Sequence, residues 1–444
     1  MAAFPKLRIL FLGAALLAPL AAAAGPGRIT GADFPGAAPD AAALGRLLFY
    51  DKVLSGNRNI SCGTCHHHDL AGGDAVALGF GEGGAGLGTR RQPGYGPAQV
   101  HARIPRNAPA LWNLGHRDVH TLFHDGRLQA DAAAPGGFVS PAGEALPEGL
   151  SSILAAQALF PVTSEHEMAG SPGENPVADA AVTAADRPAA WALLAGRVAA
   201  IPAYVEMARA AYPHVEAPED ITIVEIVNAL GAFIAVEWQS YDSPWDAWLA
   251  GEAAALSPAQ ERGRDLFFGD AQCAGCHSGP LFTDQEFHAI GLPNFGPGKT
   301  LRGALGVDPG RMLTTGDPAD AYRFRTPSLR NVTLTAPYGH NGAYATLKGI
   351  IAHHCHPEEA LLSWRPEMAG LPPLDAVAEA DFAATADGVE VALQLASLTI
   401  TPLPDITESD VDDIVAFLGA LTGETAGSRP LGRPAEVPSG LPVD

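Results

Sequence analysis

The chain has 444 residues, of which 27 are Lys or Arg and 49 are Asp or Glu, and its formal net charge at pH 7 is −22. Such an acidic chain is unsuited to binding nucleic acids or anionic membranes, because both repel negative charge. The length exceeds what a single hydrophobic core usually serves and predicts two domains.

The first 24 residues have the pattern of a secretory signal peptide. Lys6 and Arg8 precede an apolar run over residues 9–20, and small residues follow up to Gly25. We expect cleavage after Ala24. The run is too short to span a membrane, and no cysteine follows the cleavage site to carry a lipid anchor. The sequence therefore predicts a soluble mature protein in the periplasm.

Two pentapeptides, residues 62–66 (CGTCH) and residues 273–277 (CAGCH), have the pattern of covalent haem attachment. In each, two thiols can bond the vinyl groups of a haem and the histidine can ligate its iron. A zinc ribbon would need the two cysteine pairs close together, and a thiol redox motif would not need the histidine. The sequence thus predicts two haem c groups, attached through Cys62, Cys65, Cys273 and Cys276 and ligated by His66 and His277. Cys355 is left over, so no disulfide is expected.

Several landmarks recur in the same order in both halves of the chain, which predicts an internal duplication. These are residues 45–51 and 263–268 before each pentapeptide, and residues 106–113 with 124–126 and residues 325–331 with 340–342 after them. Each half also closes with an amphipathic helix. Thr222 and Glu225 form a capping box for the first, and the second is expected to stop at Gly423. Ser257 and Pro258 restart a helix between the halves.

Strand signals are sparse, and glycine and proline cluster in long loops. Residues 79–96 form the longest glycine-rich stretch, which is either a mobile loop over the first haem or a plain surface loop. We predict an all-α fold with two cytochrome c-type haem domains, long Gly/Pro-rich loops and little strand. The predicted boundaries are residues 1–24 for the signal peptide, 25–245 for the N-terminal domain and 246–444 for the C-terminal domain.

The chain resembles the bacterial dihaem cytochrome c peroxidase superfamily, which includes the MauG-like protein-oxidising enzymes. The resemblance covers nearly the whole mature chain and is carried by residues 54–56, 106–109, 123–127, 157–168, 326–331 and 334–338. It implies that peroxide reacts at the N-terminal haem and that the C-terminal haem transfers electrons. It also implies that Glu167 is the acid and base for O–O cleavage and that Gln157 orients the peroxide. Glu165 is the alternative carboxylate for the acid–base role. Without a catalytic role, Glu167 would be an exposed glutamate at a helix end.

For the second haem, the position where relatives carry methionine or tyrosine holds His354 here. The resemblance therefore implies a bis-histidine iron with a low reduction potential, since methionine ligation raises the potential. His353 and His356 are alternative ligands. Cys355 is expected to be an inert buried thiol.

Three further features of the site follow from the resemblance. His124 stands where the family usually has a tryptophan between the haems, and Trp112 either replaces that tryptophan or is an ordinary core residue. The usual route of electron transfer between the haems is therefore altered.

A calcium ion is implied between the domains, with Asn107, Thr335 and Pro337 as its ligand positions. His101 is the nearest candidate for a histidine that closes the first site in the oxidised enzyme.

The leading functional prediction is a periplasmic peroxidase that reduces hydrogen peroxide to water with electrons from a small cytochrome c or a cupredoxin. The first alternative is a MauG-like enzyme that oxidises residues of a partner protein through a high-valent dihaem state. The second is a non-catalytic dihaem electron carrier, against which Glu167 and Gln157 argue. The resemblance also implies a homodimer.

Overall fold

A computed structural model describes residues 27–96, 99–403 and 405–444. The predicted signal peptide, residues 1–24, lies outside this range. The described chain is rich in helix and poor in strand, as predicted. Its α-helices are α1 Pro39–Tyr50, α2 Cys62–Cys65, α3 Ile153–Ala158, α4 Pro176–Ala178, α5 Arg187–Ala199, α6 Pro202–Ala211, α7 Ile223–Glu237, α8 Pro244–Leu249, α9 Pro258–Phe268, α10 Met312–Thr315, α11 Leu347–Cys355, α12 Pro357–Ser363, α13 Ala378–Asp381, α14 Ala383–Ala386, α15 Gly388–Ala396 and α16 Glu408–Gly419.

In the described residues, the strands are two or three residues long and form four small antiparallel sheets. They are β1 Gly84–Ala85, β2 Gln92–Pro93, β3 Thr121–Leu122, β4 Leu128–Ala130, β5 Phe138–Val139, β6 Phe287–His288, β7 Thr300–Arg302, β8 Leu305–Val307 and β9 Phe324–Arg325. The pairings are β1 with β2, β4 with β3 and β5, β6 with β9, and β7 with β8. These short strands hold loops together, and no hydrophobic core in the described residues is built on a sheet.

In the first half, α1 packs across α7 at Gly45. A Cβ atom at this position would lie 1.8 Å from the carbonyl oxygen of Ala229 and 2.9 Å from the Cβ of Phe233. The helices can approach this closely only because Gly45 has no side chain. The second half has the same arrangement, since a Cβ at Gly263 of α9 would lie 1.9 Å from the carbonyl oxygen of Asp413 on α16.

The crossing at Gly45 gives a stability prediction. Gly45→Ala should lower the thermal unfolding midpoint, with an overpacking cost of about 1–3 kcal/mol. Gly196, in the exposed interior of α5, is a matched control because a Cβ there meets no atom within 4 Å. Gly196→Ala should stabilise by about 0.5–1 kcal/mol, as alanine favours helix more than glycine does. An unchanged midpoint for Gly45→Ala, measured by circular dichroism, would contradict the close crossing.

Side-chain packing does not follow the predicted boundary at residues 245 and 246 in two segments. Ala77 and Leu78, which follow the first haem motif, are fully buried in the core of the second half. Conversely, Val437 is buried in the core of the first half, with Leu431 and Leu441 packed against it. Each half thus places a segment in the core of the other, and the boundary stays a prediction.

The glycine-rich stretch over residues 79–96 is held together by one buried arginine. The guanidinium of Arg91, only 4% exposed, donates hydrogen bonds to the carbonyl oxygens of Phe80, Gly81 and Gly86 at 2.6, 2.7 and 2.8 Å. A loop fixed by three internal bonds has one preferred shape. This finding supports neither of the two expectations for the stretch, a mobile loop or a plain surface loop.

Across the described residues, no single helix has both the length and the apolar character needed to cross a membrane. Helices α5 and α6 reach the required length and hydropathy only when they are taken together, and they meet at 102°. Both contribute buried residues to the first core, among them Trp191 and Tyr204.

Candidate functional site

The first haem-attachment segment presents its histidine in one tautomer. His66 follows α2, and its Nδ1 donates a hydrogen bond to the carbonyl oxygen of Gly72 at 3.1 Å. Because a carbonyl oxygen can only accept, Nδ1 carries the proton and Nε2 is left with a lone pair. Burial lowers the pKa of His66, which favours the neutral imidazole that a metal requires. Cys62 and Cys65 form no disulfide.

Glu167 lies on a turn of π-helix, residues Glu165–Ala169, that two loops hold from either side. The backbone N–H of Gly56 donates to the carbonyl oxygen of Met168 at 2.7 Å, and that of Glu82 donates to the carbonyl oxygen of His166 at 3.0 Å. A Cβ at Gly81 would lie 2.1 Å from that same His166 oxygen. The glycine-rich loop therefore sits directly on the turn that carries Glu167.

The carboxylate of Glu167 acts electrostatically on both the haem-attachment segment and an arginine. Burial is the main cause that raises the pKa of Cys65 to about 12, and the charge of Glu167 adds to it. Burial also lowers the pKa of Arg127, which Asp125 and Glu167 partly oppose. The Glu167 side chain is half-buried and has no hydrogen-bond partner among the described residues, so its oxygens can accept a hydrogen bond from a ligand.

Gln157 and the Arg127 side chain lie on segments next to this turn. Gln157 is half-buried near the end of α3, where its carbonyl oxygen accepts a hydrogen bond from the backbone N–H of Phe160. The Phe160 ring packs edge-on against Phe123 at 5.9 Å, and the Arg127 guanidinium lies 3.5 Å over the Phe123 ring. Gln157 and Arg127 are thus linked through two aromatic rings that meet edge to face.

The second haem-attachment segment has the same orientation of its histidine. His277 Nδ1 donates to the carbonyl oxygen of Phe282 at 3.0 Å, which leaves Nε2 for iron. Burial lowers the pKa of His277 to about 4, and the next largest cause is His354. The two imidazoles are therefore within electrostatic range of each other. Cys273 and Cys276 precede His277 on the turn that begins this segment.

The three histidines of the His353–His356 stretch differ in what their ring nitrogens do. Both nitrogens of His353 are engaged, with the Tyr344 hydroxyl at 2.8 Å and the carbonyl oxygen of Ile290 at 2.7 Å. His354 uses Nδ1 to donate to the carbonyl oxygen of Ile350, at 2.8 Å in the preceding turn of α11. Its Nε2 bonds to no described residue. His356 is half-buried at the start of α12.

Cys355 and His101 lie in contrasting environments. The Cys355 thiol is 4% exposed, and burial raises its pKa, so it is poorly reactive at neutral pH. It lies near Cys273, whose pKa is raised to about 12 first by burial and then by Cys355. His101 is exposed to solvent.

His124 lies where the two halves of the chain meet. Its carbonyl oxygen accepts a hydrogen bond from the backbone N–H of Arg325 at 2.8 Å, and its Nε2 donates to the carbonyl oxygen of Asn107 at 3.1 Å. Burial, with Arg106 as the next cause, lowers the pKa of His124 to about 4, so the ring is neutral at physiological pH. Trp112 instead lies in the first core, beneath the guanidinium of Arg429 at 4.4 Å. That is the environment of a core residue.

Two of the three predicted calcium ligand positions meet across the halves. Asn107 Nδ2 donates to the carbonyl oxygen of Pro337 at 2.9 Å, and Thr335 lies two residues before Pro337. Asn107 Oδ1 is buried and has no hydrogen-bond partner among the described residues. An orphaned amide oxygen beside a carbonyl oxygen is a donor set that suits a hard cation.

A buried ionic network joins the halves beside this site, and the sequence alone did not reveal it. Arg106 binds Asp308 through Nε at 2.7 Å and Nη2 at 2.8 Å, and its Nη1 contacts Asp125 at 2.6 Å. Asp125 also accepts from Arg127 at 2.9 Å. Burial opposes the charge on Asp125, but the two arginines outweigh it and hold its pKa below the usual range. Arg106 and Asp125 belong to the recurring sequences and Arg127 directly follows one of them, while Asp308 follows no recognisable pattern.

The fold and site together define a c-type cytochrome with two haem-attachment segments, the first of which lies within electrostatic range of Glu167. The chain belongs to the di-haem cytochrome c peroxidase family, whose family model matches residues 39–254. It is 30% identical over 317 residues to methylamine utilization protein MauG of Methylorubrum extorquens, covering 71% of this chain and 69% of that protein. Cytochrome c551 peroxidase of Pseudomonas aeruginosa is 29% identical over 309 residues, covering 70% of each chain.

Among solved structures, the chain is similar to a MauG-like protein associated with microbial copper homeostasis. The identity is 29%, the TM-score is 0.59, and the match covers 94% of this chain and 98% of that one. The family is one of di-haem enzymes, which implies two haem groups here. Since the similar proteins include both peroxidases and MauG, the family alone does not select the reducing substrate.

Proposed function

We propose that the protein reduces hydrogen peroxide to water at its first haem. The observation that carries this proposal is the placement of Glu167, on a turn whose backbone oxygens accept hydrogen bonds from Gly56 and Glu82, which lie before and after the haem-attachment segment in the chain. A carboxylate with no protein hydrogen bond can take a proton from one peroxide oxygen and deliver it to the other. With two electrons and two protons, each peroxide then leaves as two water molecules.

Each residue at this site has a separate role. Cys62, Cys65 and His66 hold the haem, which when bound supplies the iron that receives peroxide and the electrons that reduce it. Glu167 moves the proton, and Gln157 orients the peroxide through its side-chain amide. Arg127 holds positive charge within electrostatic range of Glu167, and the two opposite charges attract each other.

For the second haem, we propose that Cys273 and Cys276 would attach the group and that His277 and His354 would ligate its iron. Of the three histidines in the stretch, His353 has both nitrogens engaged, whereas His354 keeps Nε2 uncommitted and lies within electrostatic range of His277. This haem would be the electron store, and His124, at the junction of the halves, would lie on the route between the haems.

His354→Met tests this ligand set. Because methionine ligation raises the reduction potential of haem iron, the second haem should titrate at a higher potential in this variant, with the first haem unchanged. Spectroelectrochemical titration measures both. His356→Met is the control and should leave both potentials where they are. A shift in His356→Met and none in His354→Met would assign the ligand to His356.

We also propose a calcium ion at the junction, with Asn107 Oδ1 and the carbonyl oxygens of Thr335 and Pro337 as protein ligands. The buried, unpartnered Oδ1 supports this set. The ion would supply positive charge that holds the two halves together.

The cellular setting follows from the sequence and the family. The signal-peptide pattern and covalent haem attachment support a periplasmic protein, and its acidic surface suits a basic or dipolar small cytochrome c or a cupredoxin as electron donor. A homodimer is the expected assembly.

Peroxide consumption by the protein loaded with both haems, with a reduced small cytochrome c as donor, tests the proposed function. Two donor molecules should be oxidised for each peroxide consumed. Donor oxidation that is absent, or that does not depend on peroxide, would contradict the proposal.

Oxidation of a partner protein is the second candidate, and the histidine at position 354 favours it because a low-potential second haem gives up electrons readily. One equivalent of peroxide added to the fully oxidised protein separates the two functions. A lasting change in the absorption spectrum favours protein oxidation, whereas a reaction that begins only after one haem is reduced favours peroxide reduction.

A further inference from the structure

Residues 424–444, here called the strap, leave the second half of the chain and return to the first. Val437 is 6% exposed within the first core, and Leu431, Leu441 and Val443 pack against that core. The strap therefore buries apolar side chains in the domain that carries the first haem, although it follows α16 of the second.

The middle of the strap is anchored to a buried carboxylate. Glu237 is fully buried and accepts hydrogen bonds from the backbone N–H groups of Leu431 at 2.8 Å and Gly432 at 2.7 Å. Arg46 Nε donates to the carbonyl oxygen of Gly432 at 2.7 Å. Further along, the Ser439 hydroxyl donates to Asp51 at 2.6 Å. Charged partners on both sides of the backbone make this a specific attachment.

The last part of the strap reaches the haem-attachment segment itself. Asp444 Oδ1 pairs with Lys52 Nζ at 2.6 Å, and its Oδ2 accepts a hydrogen bond from the Thr64 hydroxyl, between Cys62 and Cys65. Arg433 donates to the backbone oxygen of Asp444 at 2.6 Å and fixes its position.

The same Asp444 also contacts the residue directly after the axial histidine. His67 is fully buried, and its Nδ1 accepts a hydrogen bond from the backbone N–H of Asp69 at 3.1 Å. Nε2 must then carry the proton, which it donates to the backbone oxygen of Asp444 at 3.3 Å. Asp444 thus touches the chain on both sides of Cys65 and His66.

His67 in turn fixes the carbonyl group that orients the axial histidine. The backbone N–H of Gly72 donates to the carbonyl oxygen of His67 at 2.9 Å, and that of His67 donates to the carbonyl oxygen of Gly73 at 3.0 Å. The carbonyl oxygen of Gly72 accepts the Nδ1 proton of His66 at 3.1 Å. A hydrogen bond of this kind sets the ring orientation and makes the ligating nitrogen more basic.

We infer that the strap is a positioning element for the first haem, in which Asp444 and His67 hold the carbonyl oxygen of Gly72 against the axial histidine His66. Loosening Asp444 weakens that hydrogen bond and makes the ligating nitrogen of His66 less basic. A less basic ligand stabilises the oxidised iron less. This inference concerns the site of the proposed function but requires only that the haem is attached at His66.

The test is the midpoint potential of each haem in Asp444→Ala and His67→Phe, measured by spectroelectrochemical titration of the protein carrying both haems. The first haem should titrate at a higher potential in both variants, with the second haem unchanged, and peroxide reduction should fall by about tenfold. Asp444→Asn keeps an acceptor for Thr64 and should recover part of the shift. If Asp444→Ala is isolated without its first haem, Arg433→Ala carries the test, because it removes only the bond to the Asp444 backbone oxygen.

Asp413→Ala is the matched control, since it removes an exposed ion pair with Arg262 between α9 and α16, away from the first haem. Unchanged potentials in the strap variants, or equal shifts of both haems, would overturn the inference. Because the potentials are measured without peroxide, a protein that fails to reduce peroxide but shows the shift would refute the proposed function alone.

Discussion

Glu167→Gln is expected to lower the rate of peroxide reduction by about 10²–10⁴-fold, the usual contribution of a general acid and base. The amide keeps the size and shape of the side chain but cannot take up a proton. The turn that carries it should persist, because Gly56 and Glu82 hold the turn through the backbone oxygens of Met168 and His166. Both haems should therefore remain attached with unchanged spectra. Steady-state turnover with a reduced cytochrome c donor measures the loss.

The control is Glu165→Gln, which changes the rival carboxylate on the same turn, two residues away. It should keep turnover within a few-fold of the parent protein. If Glu165→Gln abolished turnover and Glu167→Gln did not, the roles of the two carboxylates would be exchanged. Full turnover in both variants would remove carboxylate acid–base chemistry from the proposal.

Local signals in the sequence predicted two helix starts correctly and one helix end incorrectly. The capping box of Thr222 and Glu225 is present, with α7 starting at Ile223, and α9 begins at Pro258 after Ser257 as expected. The second closing helix ends at Gly419, four residues before the predicted stop at Gly423. The reason is tertiary: Asn331 donates its backbone N–H to the carbonyl oxygen of Leu421, and its Oδ1 accepts from the N–H of Gly423.

The sequence leads to site residues where those residues lie close together in the chain. The haem-attachment pentapeptides and the Glu167 position depend on spacings within one segment. Asp308 pairs with Arg106 across 202 residues, and Asp444 reaches Thr64 across 380. Such pairs follow no period or spacing that a single sequence displays, so the ionic network and the strap emerge only from the folded chain.

The internal duplication stays a prediction that the packing supports. Gly45 and Gly263 occupy the same place in the two recurring sequences, and each allows a helix to touch the closing helix of its own half. A glycine retained at both crossings is what a repeated helix pair requires, because any side chain there would overlap a backbone carbonyl.

Arg106→Ala is expected to destabilise the folded protein by about 3–5 kcal/mol, the cost of leaving a buried charge without its partner. Asp125 and Asp308 would both lose a guanidinium while each is only 3% exposed in its side chain. Burial raises the pKa of Asp308, but Arg106 outweighs it and holds that pKa below the usual range. A carboxylate whose pKa is lower in the folded than in the unfolded state stabilises the fold above the unfolded pKa, near 4, and this stabilisation is lost as the pH falls.

The gap in thermal unfolding midpoint between the parent protein and Arg106→Ala should therefore be widest at neutral pH and shrink below about pH 4. Arg262→Ala, which breaks an exposed ion pair with Asp413, is the control and should cost at most about 1 kcal/mol at any pH. Asp308→Ala combined with Arg106→Ala should destabilise less than the sum of the single changes, because the double variant leaves one buried carboxylate fewer without a partner. Strictly additive effects, or a gap that widens in acid, would mean that the Arg106 network does not hold the two halves together.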